Sequence, residues 1–427
     1  MFILTYICTL INFDFMIFKK SKAFLIVLSF IATNLLAQNS GISRDSLVGT
    51  LNTITTAVPF LLIAPDARAG AMGDAGVAAS ADANSIHWNP AKLAFVEKDL
   101  GVSLSYTPWL RALVPDIYLG YLAGYKKLKN NQTLGISLIY FSLGNITFTN
   151  INGEVTGDFN PNEFAVSVAY ARKLGDNFSA GLALRYIYSN LTGGVPLSDG
   201  NFTHAGNSVA ADLSMFYNKE VDFMSSKNSV FTAGMNISNI GAKISYTETG
   251  NKDFIPMNFR LGAGIKSDLD DYNSLSFMAD VNKLLVPTPP VYLKNSAGTS
   301  DSVANGQKVI LYGADPNISV ASALFSSWGD APGGFGEEIK EFNYSFGLEY
   351  WYDKQFAIRA GYFHEAATKG NRQYFTVGAG VKYNVFGIDF AYLIPTEQKH
   401  PLENTLRFTL LIDFEGLKKD SEEKPSE

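Results

Sequence analysis

The chain has 427 residues, of which 47% are hydrophobic and 13% aromatic, with a formal net charge of −6 and a single cysteine, Cys8. The mildly acidic balance, without basic runs, argues against nucleic acid as a partner. One cysteine cannot form a disulfide within the chain, and it excludes a zinc site built from several thiolates.

The N-terminus has the residue order of a secretory signal peptide. Lysines at positions 19, 20 and 22 precede an apolar run over residues 23–36, which ends in Ala37. A charged, then apolar, then small-residue order predicts a signal peptide over residues 1–37, with Met16 as an alternative start. The other interpretation, a transmembrane anchor, is disfavoured because the run is shorter than the ~20 residues that a helix needs to span a bilayer.

Alternation between apolar and polar residues dominates the chain from residue 100 to residue 414. In the last stretch, Phe408 and Phe414 lie in the apolar phase and Arg407 lies in the polar phase. Because successive side chains of a strand point to opposite faces, each stretch has one apolar and one polar face. Such strands suit a soluble sandwich as well as a membrane barrel. The pattern predicts fourteen strands, at residues 100–107, 116–127, 132–143, 162–173, 178–190, 208–218, 229–239, 257–267, 272–284, 342–352, 355–364, 373–383, 385–394 and 404–414.

The connections between these strands alternate in length. Those after even-numbered strands are mostly short, although the link near residues 219–228 is longer. Those after odd-numbered strands are mostly long, and the largest covers residues 285–341. An outer-membrane barrel has short periplasmic turns and long extracellular loops, whereas a sandwich has no reason to sort its loops in this way. The sequence therefore predicts an all-β fold, a fourteen-stranded antiparallel transmembrane β-barrel over residues 99–414.

The polar phase predicts a lumen lined by glycine and charge. A fourteen-stranded barrel is wider than the filled eight-stranded barrels, so its bore needs a plug or a cargo. Charges that face the bore can form a satisfied internal network or a specific binding site. The residues predicted to face inward are Gly120, Gly124, Gly135, Gly181, Gly262, Gly264, Gly347, Gly361, Gly378, Gly380, Arg185, Asp212, Arg260, Lys266, Asp280, Glu349, Arg359, Lys382, Asp389 and Arg407.

Residues 58–98, just before the first strand, break the alternation and are rich in small residues. Gly70, Gly73 and Gly76 permit tight backbone turns. Their spacing is not that of a phosphate-binding loop, and no lysine of the Walker kind follows, so nucleotide binding is rejected. The segment has the size of an internal plug, or hatch.

The end of this segment carries a family resemblance. Asp82-Ala83-Asn84-Ser85 is followed by His87-Trp88-Asn89-Pro90-Ala91. This run resembles the N-terminal hatch of the FadL superfamily, whose fourteen-stranded barrels have an Asn-Pro-Ala motif there. The stretches PFLLIAPDARAGAMGDAGVA, HWNPAKLAF and GVSLSYTPWLR resemble more narrowly the PorV subfamily of the Bacteroidetes type IX secretion system. The resemblance spans residues 59–414.

That resemblance implies a secretion component of the cell outer membrane. The residues themselves predict no enzyme activity and no cofactor, and no spacing of His, Asp and Glu resembles a metal site. The resemblance also implies that cargo arrives from a translocon barrel (SprA-like), is held through its C-terminal signal domain, and passes to a surface sortase (PorU-like), in contact with outer-membrane lipid and lipopolysaccharide. The alternative is FadL-like uptake of hydrophobic small molecules, which an oily, open lumen would favour. Catalysis is disfavoured because the four histidines lie outside any serine motif: His87, His204, His364 and His400.

Two long connections contain candidate partner-binding residues. Exposed apolar clusters mark binding surfaces, and Trp and Arg are favoured interface anchors. Lipid contact by the tryptophan of the first loop, and folding of the second loop into the barrel mouth, are the alternatives. The candidates are Trp109, Leu110 and Arg111 in the first loop, and Ile318, Leu324, Phe325 and Trp328 in residues 285–341.

The two ends of the mature chain complete the domain organisation. Residues 38–57 are predicted to form a periplasmic segment ahead of the hatch. Phe408 and Phe414 are predicted to serve as the barrel assembly signal, because a last strand that ends in an aromatic residue is what outer-membrane assembly machinery recognises. The charged tail over residues 415–427 is predicted to be disordered.

Overall fold

The computed structural model describes residues 47–414, except for 112, 151, 195–201, 224–225, 249–251, 296–300 and 305–306. The predicted signal peptide over residues 1–37, with Met16 and Cys8, lies outside the described residues. The same holds for the tail over residues 415–427. These assignments stay predictions.

Fourteen long antiparallel strands close into a barrel, as the alternation predicted. The last strand pairs with the first, in a register that places Leu100 opposite Phe414, so the barrel has no open edge. The barrel strands are β1 (Leu100–Pro108), β2 (Tyr118–Leu128), β3 (Gln132–Ser142), β6 (Asn162–Lys173), β7 (Phe178–Asn190), β8 (Gly206–Phe223), β9 (Ser226–Gly241), β10 (Asn258–Asp268), β11 (Asn273–Leu284), β16 (Phe342–Tyr352), β17 (Phe356–His364), β18 (Gln373–Tyr383), β19 (Phe386–Pro395) and β20 (Leu406–Phe414).

Short two-stranded sheets, which the sequence analysis did not predict, lie in the long connections. They pair β4 with β5, β12 with β15, and β13 with β14. Their strands are β4 (Ile146–Thr149), β5 (Val155–Phe159), β12 (Val291–Tyr292), β13 (Val303–Ala304), β14 (Gln307–Lys308) and β15 (Ile310–Tyr312).

Short connections lie at one end of the barrel and long connections at the other. The one link that did not fit this rule in the sequence is short in the structure. The link near residues 219–228 was expected to be long, but β8 and β9 extend to Phe223 and Ser226, which pair with each other. Polar residues such as Lys219 and Glu220 hid this extension, because water-exposed strand ends need no apolar phase. By the bounds of the described strands, the links at one end of the barrel are all short, and this end is called the short-turn end. The other end is called the long-loop end.

The outer face of the barrel is apolar and the inner face polar along most strands. On β20, Phe408 and Phe414 are exposed while Arg407 is buried, as predicted. The prediction was wrong for Gly120 and Gly124, since their neighbours on β2 are the buried residues that point inward. β2 is apolar in both phases, so its pattern alone does not select a face.

Short helices belong to the hatch and to the largest loop. In the described part of the chain, no helix is long and apolar enough to cross a membrane. The hatch contains a 3₁₀ helix (Pro59–Leu62), α1 (Ala67–Gly70), α2 (Ser85–Trp88) and a second 3₁₀ helix (Pro90–Phe95). The largest loop contains α3 (Val320–Ser326), α4 (Phe335–Glu338) and a 3₁₀ helix (Ile339–Glu341).

The core lies inside the barrel, between the hatch and the inner wall. Apolar hatch residues pack against one side of the wall, which β2, β3, β6 and β7 form. The opposite side of the wall meets the hatch through smaller apolar clusters and also through hydrogen bonds and ion pairs, such as that of Arg68 with Glu349. The residues of the apolar contact include Val58, Phe60, Ile86, Leu93, Leu119, Tyr121, Ile139 and Ile187.

Candidate functional site

The Asn-Pro-Ala motif fastens the hatch to the wall. Asn89 is fully buried, and its amide nitrogen donates to the carbonyl oxygens of Val77 (3.1 Å) and of Met215 on β8 (3.0 Å). Its amide oxygen accepts from the N–H of Ala91, which caps the 3₁₀ helix that begins at Pro90. Proline suits that first helical position because its φ is preset and no N–H is lost there.

Ala91 adds two further contacts with the wall. Its N–H donates to the Ser214 hydroxyl at 2.9 Å, and its carbonyl accepts from the Ser179 hydroxyl at 2.7 Å. A Cβ at Gly181 of β7 would lie 2.5 Å from the Ala91 nitrogen. The small residue at position 91 and the glycine on the wall therefore allow the backbones to meet.

His87 and Trp88 are buried inside the barrel rather than exposed at a catalytic surface. The indole N–H of Trp88 donates to Asp66 Oδ1 at 2.6 Å, and the Arg260 guanidinium lies 4.8 Å from the ring centre. The His87 ring meets the Trp88 ring edge-on at 4.9 Å and lies near Tyr121. These contacts make the pair a packing element of the hatch.

The three glycines of the hatch lie where the backbone approaches a neighbour closely. A Cβ on Gly76 would lie 2.3 Å from the Trp88 ring. Gly73 has φ +65°, and a Cβ there would lie 2.6 Å from the backbone of β17. A Cβ on Gly70 would lie 2.7 Å from the Arg407 guanidinium. Close approach thus accounts for all three residues, and a left-handed turn applies only to Gly73.

A buried charge network joins the hatch to β16, β17 and β19. Arg68 donates to both oxygens of Glu349, at 2.8 and 2.9 Å, and also pairs with Asp82 of the hatch. Glu349 also accepts from Arg359 at 2.7 Å, and Arg359 pairs with Asp389 at 2.6 Å. Glu349, Arg359 and Asp389 were predicted to face the lumen, and their contacts form a satisfied internal network, which was one of the two alternatives for the lumen charges. A second buried ion pair joins Arg185 to Asp212 at 2.8 Å.

Residues 47–57, here called the N-terminal strap, lie at the long-loop end of the barrel. The Asn52 N–H donates to the Thr368 carbonyl at 2.9 Å, and its amide donates to Glu337 at 2.9 Å. Lys340 donates to the Val48 carbonyl at 2.8 Å. The sequence analysis predicts residues 38–57 on the opposite, short-turn side. Residues 47–57 lie instead at the long-loop end, and residues 38–46 lie outside the described residues. A chain that enters the lumen can leave it at either end, and the alternation carries no information on that choice.

A cavity of about 370 Å³ lies between the N-terminal strap and the long loops. Its lining mixes apolar and charged side chains, so it is not the oily tunnel that uptake of a hydrophobic molecule would favour. The lining residues include Ile54, Leu62, Ile63, Leu284, Glu341, Asn343, Glu365, Lys369 and Arg372.

The first long loop turns partly into the barrel mouth. Trp109 and Leu110 pack against a buried cluster that includes Phe363 and Leu402. Arg111 is exposed. Of the three candidates in this loop, only the arginine is therefore freely presented.

The largest loop divides its apolar residues between packing and exposure. Ile318 and Leu324 pack at the rim with Met257 and Leu285. Trp328 lies 5.2 Å, ring to ring, from Phe259, a residue in the outward phase of β10. Phe325 remains 76% exposed, and Phe335, which the sequence analysis did not single out, is 78% exposed.

Beneath this loop lies a buried acidic cluster that sequence reasoning missed. Lys283 of β11 lies 2.7 Å from Glu338 and 2.6 Å from Glu341. Lys369 lies 2.6 Å from Glu337 and 2.9 Å from Glu341. The glutamates are visible as GEEIKEF in the sequence, but nothing in it indicates that two lysines from distant segments meet them.

Burial affects the acids of this cluster differently. It raises the pKa of Asp330 to about 6, and it also raises the pKa of Glu338. Burial acts in the same direction on Glu337, but hydrogen bonds from Lys369 and the Gly333 N–H outweigh it and lower the pKa of that carboxyl. In Asp330 and Glu338, burial therefore outweighs the hydrogen bonds and ion pairs that favour the charged form.

The family model described as Type IX secretion system protein PorV matches residues 48–291, more than half of the chain. This chain belongs to the PorV family. Membership of this family indicates that the barrel lies in the outer membrane and acts in type IX secretion. The matched range covers the hatch, most of the N-terminal strap, and the strands β1 to β11.

Several solved barrels resemble this PorV-family chain. The toluene transporter TbuX of Ralstonia pickettii is 14% identical, with a TM-score of 0.45, over 82% of this chain and 98% of that one. The toluene transporter TodX of Pseudomonas putida is 10% identical, with a TM-score of 0.42, over 85% and 98%. A FadL homologue of Pseudomonas aeruginosa is 11% identical, with a TM-score of 0.41, over 86% and 100%. No curated protein matches the chain. Toluene is named for TbuX and TodX and is said of those proteins.

Proposed function

We propose that this PorV-family barrel accepts secreted cargo through the cargo's C-terminal signal domain from a translocon barrel, and delivers it to a surface sortase. The observation that carries the proposal is the exposure of Phe325 and Phe335, 76% and 78%, on the largest loop. Large exposed apolar side chains on a loop are characteristic of protein-docking surfaces. Phe325, Trp328 and Phe335 are here called the aromatic rim.

The filled lumen supports docking rather than passage. The hatch meets the wall through buried hydrogen bonds from Asn89 and through the ion pair of Arg68 with Glu349. Movement of a solute through the bore would first have to break these contacts. A partner that binds at the long-loop end needs no such opening.

Replacement of the two most exposed residues of the aromatic rim tests the proposal. The double variant Phe325→Ser with Phe335→Ser removes two exposed rings without cutting into the core, so the barrel should assemble normally. Truncation of an interface aromatic typically costs more than about 1 kcal/mol of binding free energy, and two such losses weaken a complex by about tenfold to a hundredfold. We expect cargo to accumulate in the periplasm, measured by cell fractionation and immunoblotting.

The matched control is Phe202→Ser, which removes a ring that is 62% exposed on a different long loop. Secretion should stay at the wild-type level in this control. Normal cargo delivery by the double variant, at equal barrel abundance, would contradict the docking proposal.

Affinity purification of the tagged protein from its own outer membrane separates the two function classes. Recovery of a large translocon barrel, a sortase or proteins that share a C-terminal signal domain supports the secretion role. Recovery of the barrel with a bound fatty acid or other oily ligand, and no protein partner, would instead favour FadL-like uptake, with the cavity at the long-loop end as its site.

A further inference from the structure

Negative charge exceeds positive charge in the acidic cluster beneath the largest loop. Four carboxylates meet two ammonium groups there, so the cluster has two uncompensated negative charges when all groups are ionised. Buried charges without partners are unfavourable and require either protonation or a cation. The members of the cluster are Asp330, Glu337, Glu338, Glu341, Lys283 and Lys369.

Three of these acids converge on one point. Asp330, Glu338 and Glu341 are all buried, and each can offer a carboxylate oxygen that lies within 4.8 Å of the oxygens of the other two. Calcium–oxygen distances are about 2.3–2.6 Å, so the ligands of one ion lie up to about 5 Å apart. The spacing is that of a shared cation.

An unused buried oxygen points to the same conclusion independently. Asp330 is only 5% exposed, and its Oδ2 accepts from the Thr288 N–H at 3.2 Å. Its Oδ1 accepts no hydrogen bond from any residue that the structure describes. Such an oxygen, buried beside two further carboxylates, requires either a proton or a cation as its partner.

We propose that Asp330, Glu338 and Glu341 bind one calcium ion, which fastens the base of the largest loop to the barrel rim. Glu341 accepts from the Thr288 hydroxyl and pairs with Lys283 of β11, so the ion would join both ends of the loop to a barrel strand. The site does not depend on the proposed secretion role.

Ligand chemistry favours calcium over other ions. All three side chains offer hard oxygen ligands, which disfavours zinc and copper, and none offers nitrogen or sulfur. Magnesium gives up its water reluctantly and rarely accepts a site with three carboxylates. Calcium sites in extracellular modules have dissociation constants of about 10⁻⁴–10⁻³ M, which suits the long-loop end of an outer-membrane barrel.

The competing arrangement is a cluster balanced by lysine alone. Lys283 is completely buried and lies within 2.7 Å of Glu338 and Glu341. It does not contact Asp330 among the ion pairs and hydrogen bonds of the described residues, so the free oxygen of Asp330 stays uncompensated. Calcium binding therefore distinguishes the two arrangements.

The test uses the full-length barrel, purified in detergent without lipopolysaccharide because that lipid binds calcium itself. After chelation, calcium is titrated calorimetrically, and thermal unfolding is followed with and without calcium. We expect one ion per chain, a higher melting temperature with calcium and slower proteolysis of residues 285–341. Asp330→Asn and Glu338→Gln should each weaken binding by about tenfold or more.

Asp315→Asn is the matched control, since Asp315 is an exposed acid of the same loop. It should bind calcium like the wild type. Equal calcium responses of wild type and Asp330→Asn, or no binding by the wild type at millimolar calcium, would overturn the proposal. Equal stabilisation of every variant by magnesium and calcium would do the same, because that is screening. The gel mobility of the unheated barrel verifies that each variant is folded.

Discussion

At the residue scale, Asn89 connects three segments with one side chain. Its amide donates to a hatch carbonyl, at Val77, and to a wall carbonyl, at Met215, while its oxygen caps the 3₁₀ helix that follows. Aspartate lacks the donor and alanine lacks both groups, so the residue type follows from the contacts. The sequence motif indicated the position, but only the fold indicates which carbonyls the amide serves.

Asn89→Ala should lower the free energy of unfolding by about 1–3 kcal/mol, because two buried carbonyls and one N–H lose a partner. Thermal unfolding of the purified barrel measures this. Asn152→Ala, at an exposed turn of the β4–β5 hairpin, is the control and should change the value by less than about 0.5 kcal/mol. Equal melting temperatures of the two variants would contradict the assigned role of Asn89.

Gly73 and Gly153 offer a matched pair for the effect of close approach. Both have positive φ, +65° and +82°, but a Cβ at Gly73 would lie 2.6 Å from the backbone of β17, whereas nothing lies within 4 Å of a Cβ at Gly153. Each alanine variant pays the left-handed strain of about 1–2 kcal/mol. Gly73→Ala adds a clash with a rigid wall and should therefore be more destabilising by at least about 1 kcal/mol in thermal unfolding. Similar losses in both variants would show that the hatch can shift to make room.

At the scale of the element, the last strand closes the barrel. β20 pairs with β19 on one side and with β1 on the other, and its outward residues form part of the lipid-facing surface. Its alternation was legible in the sequence because one face contacts lipid and the other contacts the hatch. The sequence does not show which residues of β2 face the lumen, because both faces of this strand contact apolar groups.

Phe414→Ala should reduce the amount of barrel in the outer membrane, because the aromatic end of β20 is the predicted assembly signal. Quantitative immunoblotting of outer-membrane fractions is the measurement, and we expect a several-fold loss. Phe386→Ala is the control, as Phe386 is also an exposed aromatic, at the start of the neighbouring strand β19. Equal abundance of the two variants would argue against a role for Phe414 in assembly.

At the scale of the whole molecule, the hatch makes two kinds of contact with the barrel wall. Apolar residues pack against β2, β3, β6 and β7, while Arg68 and its partners connect the hatch with β16, β17 and β19. Apolar packing is non-directional, whereas the bidentate pair of Arg68 with Glu349 sets an orientation. The two together hold the hatch in one position.

Arg68→Ala should loosen the hatch, because Glu349 keeps Arg359 but loses its partner on the hatch. Loss of one member of a buried pair costs about 3–5 kcal/mol. Ion conductance of the barrel in planar lipid bilayers should rise above that of the wild type. Arg172→Ala, an exposed arginine on β6, is the control and should leave conductance unchanged. A closed Arg68→Ala barrel would mean that apolar packing alone retains the hatch.

The sequence by itself determined the strand count, the sorting of the loops and the identity of the hatch. These features depend on the alternation between apolar and polar side chains and on the backbone preferences of glycine and proline. Both are local, so each strand and each turn can be predicted from its own residues. The position of the N-terminal strap and the meeting of Lys283, Lys369 and the loop acids were decided only by the tertiary structure. Such contacts join residues that lie 28 positions apart in the case of Lys369 and Glu341, and 292 positions apart in the case of Val48 and Lys340. A pattern that repeats within one strand or one turn carries no information on them.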